Sequence, residues 1–210
     1  GLVGRRCLER RRPYLQAWTL GLIWYGVGTG AQALGALRGW DPLTYRWWYL
    51  AGACYTAAYL GMGSIYLLAP RPVAHGIMLW LALGSAMVAP LVLLTPIDPA
   101  LLPAPGEAPT GQAVHEAVRK VTPLFNVFGA AALFLGAAWG AIAFRASRRT
   151  FANLLIALGS VLPSLATGLT RFGLTETLAL GQLLGLLCIL GGFLVALRAP
   201  TPNIARTLPV

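Results

Sequence analysis

YRWWYLAGACYTAAYLGMGSIYLLAP, residues Tyr45 to Pro70, holds five of the seven tyrosines in the chain. At about 100° per residue on a helix, Tyr45, Tyr49, Tyr55, Tyr59 and Tyr66 fall with Trp48, Gly52, Thr56 and Gly63 in a sector of roughly 120°. Leu50, Ala53, Cys54, Ala57, Leu60 and Leu68 lie on the other side. No charge interrupts the run between Arg46 and Arg71, and it is long enough to cross a bilayer core of about 30 Å. The stretch reads as a membrane span with one phenolic face.

The rest of the chain agrees with that reading. Its 210 residues are 57% hydrophobic and 10% charged, against about a quarter charged in an ordinary soluble domain. Further apolar runs at Tyr14–Leu37, Val73–Leu94, Val121–Phe144, Phe151–Arg171 and Thr175–Leu197 make six spans with Tyr45–Ala69. The expected fold is an all-α polytopic transmembrane helix bundle. A basic segment (1–13) precedes the six-helix domain (14–197), which carries an outer loop at 95–120, and a tail (198–210) follows. Pro70-Arg71-Pro72 marks a tight turn, because proline cannot continue a helix and restricts the residue before it.

The formal charge of +10 sorts by side of the membrane rather than forming a nucleic-acid face. With the amino terminus inside, the outer flanks hold only Arg38, Arg46, Arg119, Lys120 and Arg171 of the sixteen basic residues. Basic flanks resist translocation, so both termini are expected in the cytoplasm. The arginine-rich start GRRCLERRRP fits a segment that stays inside rather than a cleaved signal, and a span before Gly1 stays open. The layout resembles small polytopic proteins of bacterial inner membranes, and the nearly lysine-free composition suits a high-GC genome.

The long connection Thr95–Lys120 divides in two. TPIDPALLPAPGEAPTG is too rich in proline and glycine for regular structure. QAVHEAVRK places Ala113, Val114, Ala117, Val118 and Val121 on one side, which predicts a short amphipathic helix on the outer surface before Pro123 turns the chain into the fourth span. Gly26 with Gly30, Gly136 with Gly140, and Gly181 with Gly185 have the spacing that lets helices approach closely, and packing inside one bundle is the preferred reading.

Polar groups inside the spans define the candidate site. Asn153, Ser160, Ser164, Thr167 and Arg171 fall within about 60° of one another on the fifth span. Gln32, Asn126 and Gln182 lie with Thr167 and Arg171 in the outer third of the spans. An unpartnered amide facing lipid is costly, so these groups are expected to turn inward. With Tyr49, Tyr55 and Tyr59 they could line an outward-opening pocket between the second and fifth spans, with Arg171 at its mouth. The same groups also read as an interhelical network that only fixes packing, at about 0.6 kcal/mol per bond.

Chemistry is otherwise thin. No Asp or Glu lies in the middle of a span, which leaves no candidate for a carboxylate relay. His75 and His115 stand at opposite sides, His115-Glu116 lacks the second histidine of HExxH, and Gly63-Ser64 and Gly84-Ser85 make no GxSxG elbow. Cys7, Cys54 and Cys188 have no metal-ligand spacing. No catalytic, metal-binding or cofactor-binding residue is therefore assigned. The sequence favours a non-catalytic sensor or accessory module, embedded in the lipid bilayer and taking a small-molecule or lipid ligand. A small transporter or channel is the alternative, and an enzyme is the least supported class.

Overall fold

The computed structural model describes residues 13–104, 107, 109–143, 148–170 and 177–198, without the side chains of 140–143, 149, 164, 167–170, 178 and 179. The expected basic segment and carboxy-terminal tail fall almost wholly outside the described residues, as does Arg171. Six long helices account for the described chain, which is all-α, with a single isolated β-bridge and no strand among the described residues.

Helix α1 spans Pro13–Arg38, with proline opening its first turn. Gly39, at φ +86°, ends it in the left-handed conformation that a side chain would resist. Asp41 then caps the next helix, accepting from the amides of Leu43 (2.9 Å) and Thr44 (3.1 Å). Helix α2 is continuous through three segments: α-helical Pro42–Trp48, a wide π-helical stretch Tyr49–Thr56, and α-helical Ala57–Leu68. Helix α3 is Arg71–Leu94, α4 Glu116–Ala143, α5 Arg148–Thr170 and α6 Thr177–Arg198.

Three of these, α3, α4 over Glu116–Trp139 and α6 over Leu180–Arg198, are long and apolar enough to cross a membrane. Their outward faces expose large apolar side chains such as Trp80, Met87, Leu124, Leu135 and Leu187, which suits hydrocarbon rather than water. Helix α2 is interrupted by its wide segment and enclosed on most sides. Leu50, Ala51, Cys54, Ala58 and Leu60 are buried as well as the tyrosines, so it is the central helix rather than one with a single inward face.

Packing around α2 proceeds by close backbone approach. Helix α1 returns antiparallel along it, with Gly28 against Gly52 and Trp18 seated over Gly63. The fully buried Trp18 indole donates to the Leu60 carbonyl at 3.1 Å. Helix α4 lies parallel to α2. A β-carbon on Gly61 would come 2.7 Å from the Gly129 carbonyl oxygen, and one on Gly129 would fall on the Ala57 carbonyl. Helices α5 and α6 form an antiparallel hairpin, the most extensive helix pair, in which Gly159 and Gly185 meet backbone to backbone. The hairpin docks on α4 and α1.

Two expectations are corrected. QAVHEAVRK is not a separate surface helix: Gly111–Ala113 is a single 3-10 turn, and Glu116 begins α4 itself. The physical reason is that Val118, Thr122, Phe125 and Gly129 form one buried stripe at helical spacing, which carries the helix straight through Pro123. Of the glycine pairs, Gly181 and Gly185 pack against α5 as expected, and Gly136 packs against α2 and α5. Among the described residues, a β-carbon on Gly26 or Gly30 would meet nothing within 4 Å; both are exposed on α1.

The long connection is irregular apart from two short turns, yet it is held down. Ile97 and Val114 pair and are buried, and the Asp98 amide donates to the Ala113 carbonyl at 3.0 Å. Arg46 anchors its start by donating from Nη2 to the Thr95 carbonyl at 3.0 Å. Gly111 rests on the Tyr49 ring.

Candidate functional site

The tyrosine hydroxyls of α2 reach two different helices. Tyr49 Oη lies 2.7 Å from Thr122 Oγ1 on α4, and Thr122 in turn donates to the Val118 carbonyl at 3.1 Å, so the phenol is the donor of the pair. Tyr55 donates to the Ser85 carbonyl on α3 at 2.7 Å, and Tyr59 donates to Ser85 Oγ at 3.2 Å. Trp24 from α1 packs edge-on to Tyr55 at 4.8 Å, and Phe125 closes over the same ring. The wide turns of Tyr49–Thr56 separate these directions. Thr56 Oγ1 bonds the carbonyl five residues back, at Ala51, in step with the π register. Gly52, expected on the phenolic face, is exposed.

A second polar contact lies nearer the α2–α3 turn. Ser64 Oγ donates to Asn153 Oδ1 on α5 at 2.6 Å, and both residues are buried. A lone serine in a helix ordinarily bonds back four residues, but the carbonyl four back is Leu60, which accepts from Trp18. Asn153 Nδ2 is buried and has no partner. A third contact ties α1 to α6: Tyr25 donates to the Gln182 carbonyl at 2.7 Å, and Gln182 Nε2 donates to Gln32 Oε1 at 2.7 Å.

A groove of about 480 Å³ opens between α2, α3 and α4. Ile65, Leu68, Ile77, Phe128, Leu135 and Trp139 supply most of its apolar lining, and Ser64 and Gly136 form its floor. Leu135 and Trp139 stand exposed on its rim. Directly behind Gly136 lies Asn153. A β-carbon at Gly136 would sit 3.1 Å from Nδ2, 3.0 Å from Ser64 Cβ and 3.3 Å from Leu68 Cδ1.

The sequence-derived pocket residues are therefore distributed rather than gathered. Tyr49, Tyr55 and Tyr59 are buried and bonded, but toward α4 and α3. Gln32 and Gln182 meet each other across the α1–α6 seam. Asn126 is exposed on α4, and the half-buried Ser160 bonds back to the Ala157 carbonyl at 2.8 Å. The side chains of Ser164 and Thr167, and Arg171 entirely, lie outside the described residues. Helices α2 and α5 touch chiefly through Ser64 and Asn153. Ser64, Ser85, Thr122 and Tyr25 carry bonds that the sequence reading did not assign. For Ser64, Ser85 and Thr122 the one signal was a small hydroxyl inside an apolar run, and for Tyr25 a phenol in one.

These features define an all-helical protein with three helices able to cross a membrane, a bonded polar interior and a lateral apolar groove. No protein-family model, curated protein or solved structure matches the chain.

Proposed function

We propose that the protein is a multi-pass protein of a bacterial inner membrane, with six spans and both termini cytoplasmic, and that it is a non-catalytic sensor or accessory module. What supports this reading is the contrast between the interior and the side of the bundle. Tyr25, Tyr49, Tyr55 and Tyr59 spend their hydroxyls on hydroxyls and backbone carbonyls of neighbouring helices, and Gln182 donates to Gln32, whereas the 480 Å³ groove opens sideways among apolar side chains. A surface of that kind takes a lipid-soluble ligand from the plane of the membrane. Sites for such molecules are commonly apolar clefts of about 300–1,000 Å³ with a few placed polar groups.

Photocrosslinking in intact cells tests the reading. A benzophenone amino acid replacing Leu135 on the groove rim is expected to give a discrete, saturable adduct, and one replacing Leu183 on the far hairpin only bulk lipid. Equal labelling at the two positions would sink the proposal. Solute flux through vesicles holding the purified protein would redirect it to a transporter. For orientation, single cysteines in a cysteine-free background at positions 107 and 147 are expected to be accessible and protected, respectively, from outside. The reverse pattern would invert the topology.

A further inference from the structure

A group of unpaired polar atoms lies where the chain enters α2. Tyr45 is fully buried, yet its hydroxyl has no hydrogen-bond partner among the described residues. Arg46 Nε and Trp40 Nε1 are buried and unpartnered as well. The rings around them are in contact: Trp40 stands edge-on to Tyr45 at 5.7 Å and to Trp48 at 5.9 Å, and Tyr45 and Trp48 are 5.2 Å apart. What covers Tyr45 and Arg46 is the long connection. Its described arms, 95–102 and 109–114, bury Ile97, Ala113 and Val114 in the same apolar cluster as Tyr45 and Tyr49. Gly111 rests on the Tyr49 ring, and the Ala113 backbone lies close to the Tyr45 hydroxyl without bonding it.

The two arms are tied chiefly to each other. The Ile97–Val114 bridge and the bond from the Asp98 amide to the Ala113 carbonyl join one arm to the other. Away from the helix ends where the arms begin and finish, one hydrogen bond among the described residues holds them to the helices, from Arg46 Nη2 to the Thr95 carbonyl. His115 belongs to α4, whose first turn it caps by accepting from the Ala117 and Val118 amides. A buried polar atom without a partner costs at least what an ordinary hydrogen bond contributes. Closure therefore strands the Tyr45 hydroxyl and Arg46 Nε to bury little more than Ile97, Ala113 and Val114. Opening breaks one hydrogen bond and returns both polar groups to water. Few buried contacts and few bonds to the body are the marks of a segment that opens locally.

We infer that the two arms form a strap that opens and closes as a unit over the aromatic end of α2. It turns after α3, at Pro96, and before α4, at Val114. The structure holds the closed form. The open form presents the Tyr45 and Tyr49 rings and a guanidinium at Arg46 released from Thr95. Strap and lateral groove stand at opposite ends of α2, the groove beginning at Ser64, so the movement of one asks nothing of the other.

The test uses the full chain purified in detergent, where both faces are open to reagents and membrane orientation does not enter. Cys7→Ala and Cys188→Ala leave Cys54 as a fully buried reference, and Ala113→Cys places a thiol under the strap. Labelling by a hydrophilic maleimide is read by mass spectrometry, each rate divided by that of the same thiol in the chain unfolded in dodecyl sulfate. The thiol at position 113 is expected to react about tenfold faster than Cys54 or more, although both positions are buried in the closed form. Tyr45→Phe removes the stranded hydroxyl and is expected to slow that reaction about tenfold, by stabilising the closed strap. Tyr49→Phe removes a hydroxyl already bonded to Thr122 and is expected not to slow it. Protection at position 113 equal to that of Cys54 overturns the proposal. So does a Tyr45→Phe rate that is unchanged or faster, or equal slowing by both phenylalanine variants. Hydroxyl-radical footprinting of the unmutated chain needs no variant to fold. Tyr45 is expected to oxidise about tenfold faster than Tyr55, which is bonded to Ser85, and equal protection of the two rings overturns the strap.

Discussion

Asp41 shows how much one residue contributes to the entry of α2. Its carboxylate accepts from two backbone amides and from the Thr44 hydroxyl, and these bonds, the Thr44 hydroxyl first, hold its pKa below the ordinary carboxylate range. A carboxyl with a depressed folded pKa contributes stability above its unfolded pKa and loses it as pH falls through the folded value. Asp41→Ala is expected to lower unfolding stability by about 1 kcal/mol at neutral pH. Asp41→Asn should keep most of the cap and lose its dependence on acid. Circular dichroism of melting at several pH values below the neutral range separates the two; a wild-type melting profile matching that of Asp41→Asn in acid would refute the assignment. Tyr55 makes a comparable case deeper in the bundle. Tyr55→Phe, which removes only the bond to the Ser85 carbonyl, is expected to cost about 0.6 kcal/mol in detergent unfolding, with the fold retained.

At the scale of helices, glycine decides which surfaces can meet. Gly129→Ala would force α2 and α4 apart along a contact that is backbone against backbone, and a loss of about 3 kcal/mol or failure to fold is expected. Gly26→Ala meets nothing within 4 Å and is expected to be neutral, or to stabilise α1 by up to about 1 kcal/mol. Equal losses at the two positions, measured by thermal unfolding in detergent, would show that α1 has a neighbour on its exposed side. The sequence marked the wrong one of these two glycines. Gly26 belongs to a spaced pair and Gly129 does not, because Gly129 meets its small partners Ala57 and Gly61 on another helix. The pairing depends on α2 and α4 running parallel, which local spacing does not encode. The wide turns of Tyr49–Thr56 were equally hidden, since a 100° wheel presumes the α-helical period. Their effect is to send Tyr49 toward Thr122 while Tyr55 and Tyr59 go to Ser85.

For the molecule as a whole, apolar runs, prolines and arginines were enough to mark six helices with ends close to those observed. Gly39 and the Pro70-Arg71-Pro72 turn carry their conformational restrictions in the residue type itself. The arrangement of polar groups was not legible in the same way. Tyr55 and Ser85 are 30 residues apart, Tyr49 and Thr122 73, and Tyr25 and Gln182 157. A single serine or threonine in an apolar helix has a local acceptor four residues back, so its periodicity does not say that it will bond elsewhere. The groove was hidden for a related reason: it is a space left between three helices by Gly136 and the small residues Ser64, Ala131 and Ala132 on two of them.

The bonds of α2 also impose an order on biogenesis. Every partner of its tyrosines and of Ser64 is synthesised after it: Ser85 on α3, Thr122 on α4 and Asn153 on α5. On the proposed six-span reading, a nascent chain that has delivered only α1 and α2 to the bilayer would carry these hydroxyls unmatched, and α2 would be held at the translocation machinery until its partner helices emerge. Chains halted after residue 94 are therefore expected to be cleared by membrane proteases several-fold faster than chains halted after residue 143, in a pulse-chase measurement. On that reading, synthesis of the fourth helix would be the checkpoint at which the tyrosines of the central helix are matched, with Ser64 following when α5 brings Asn153.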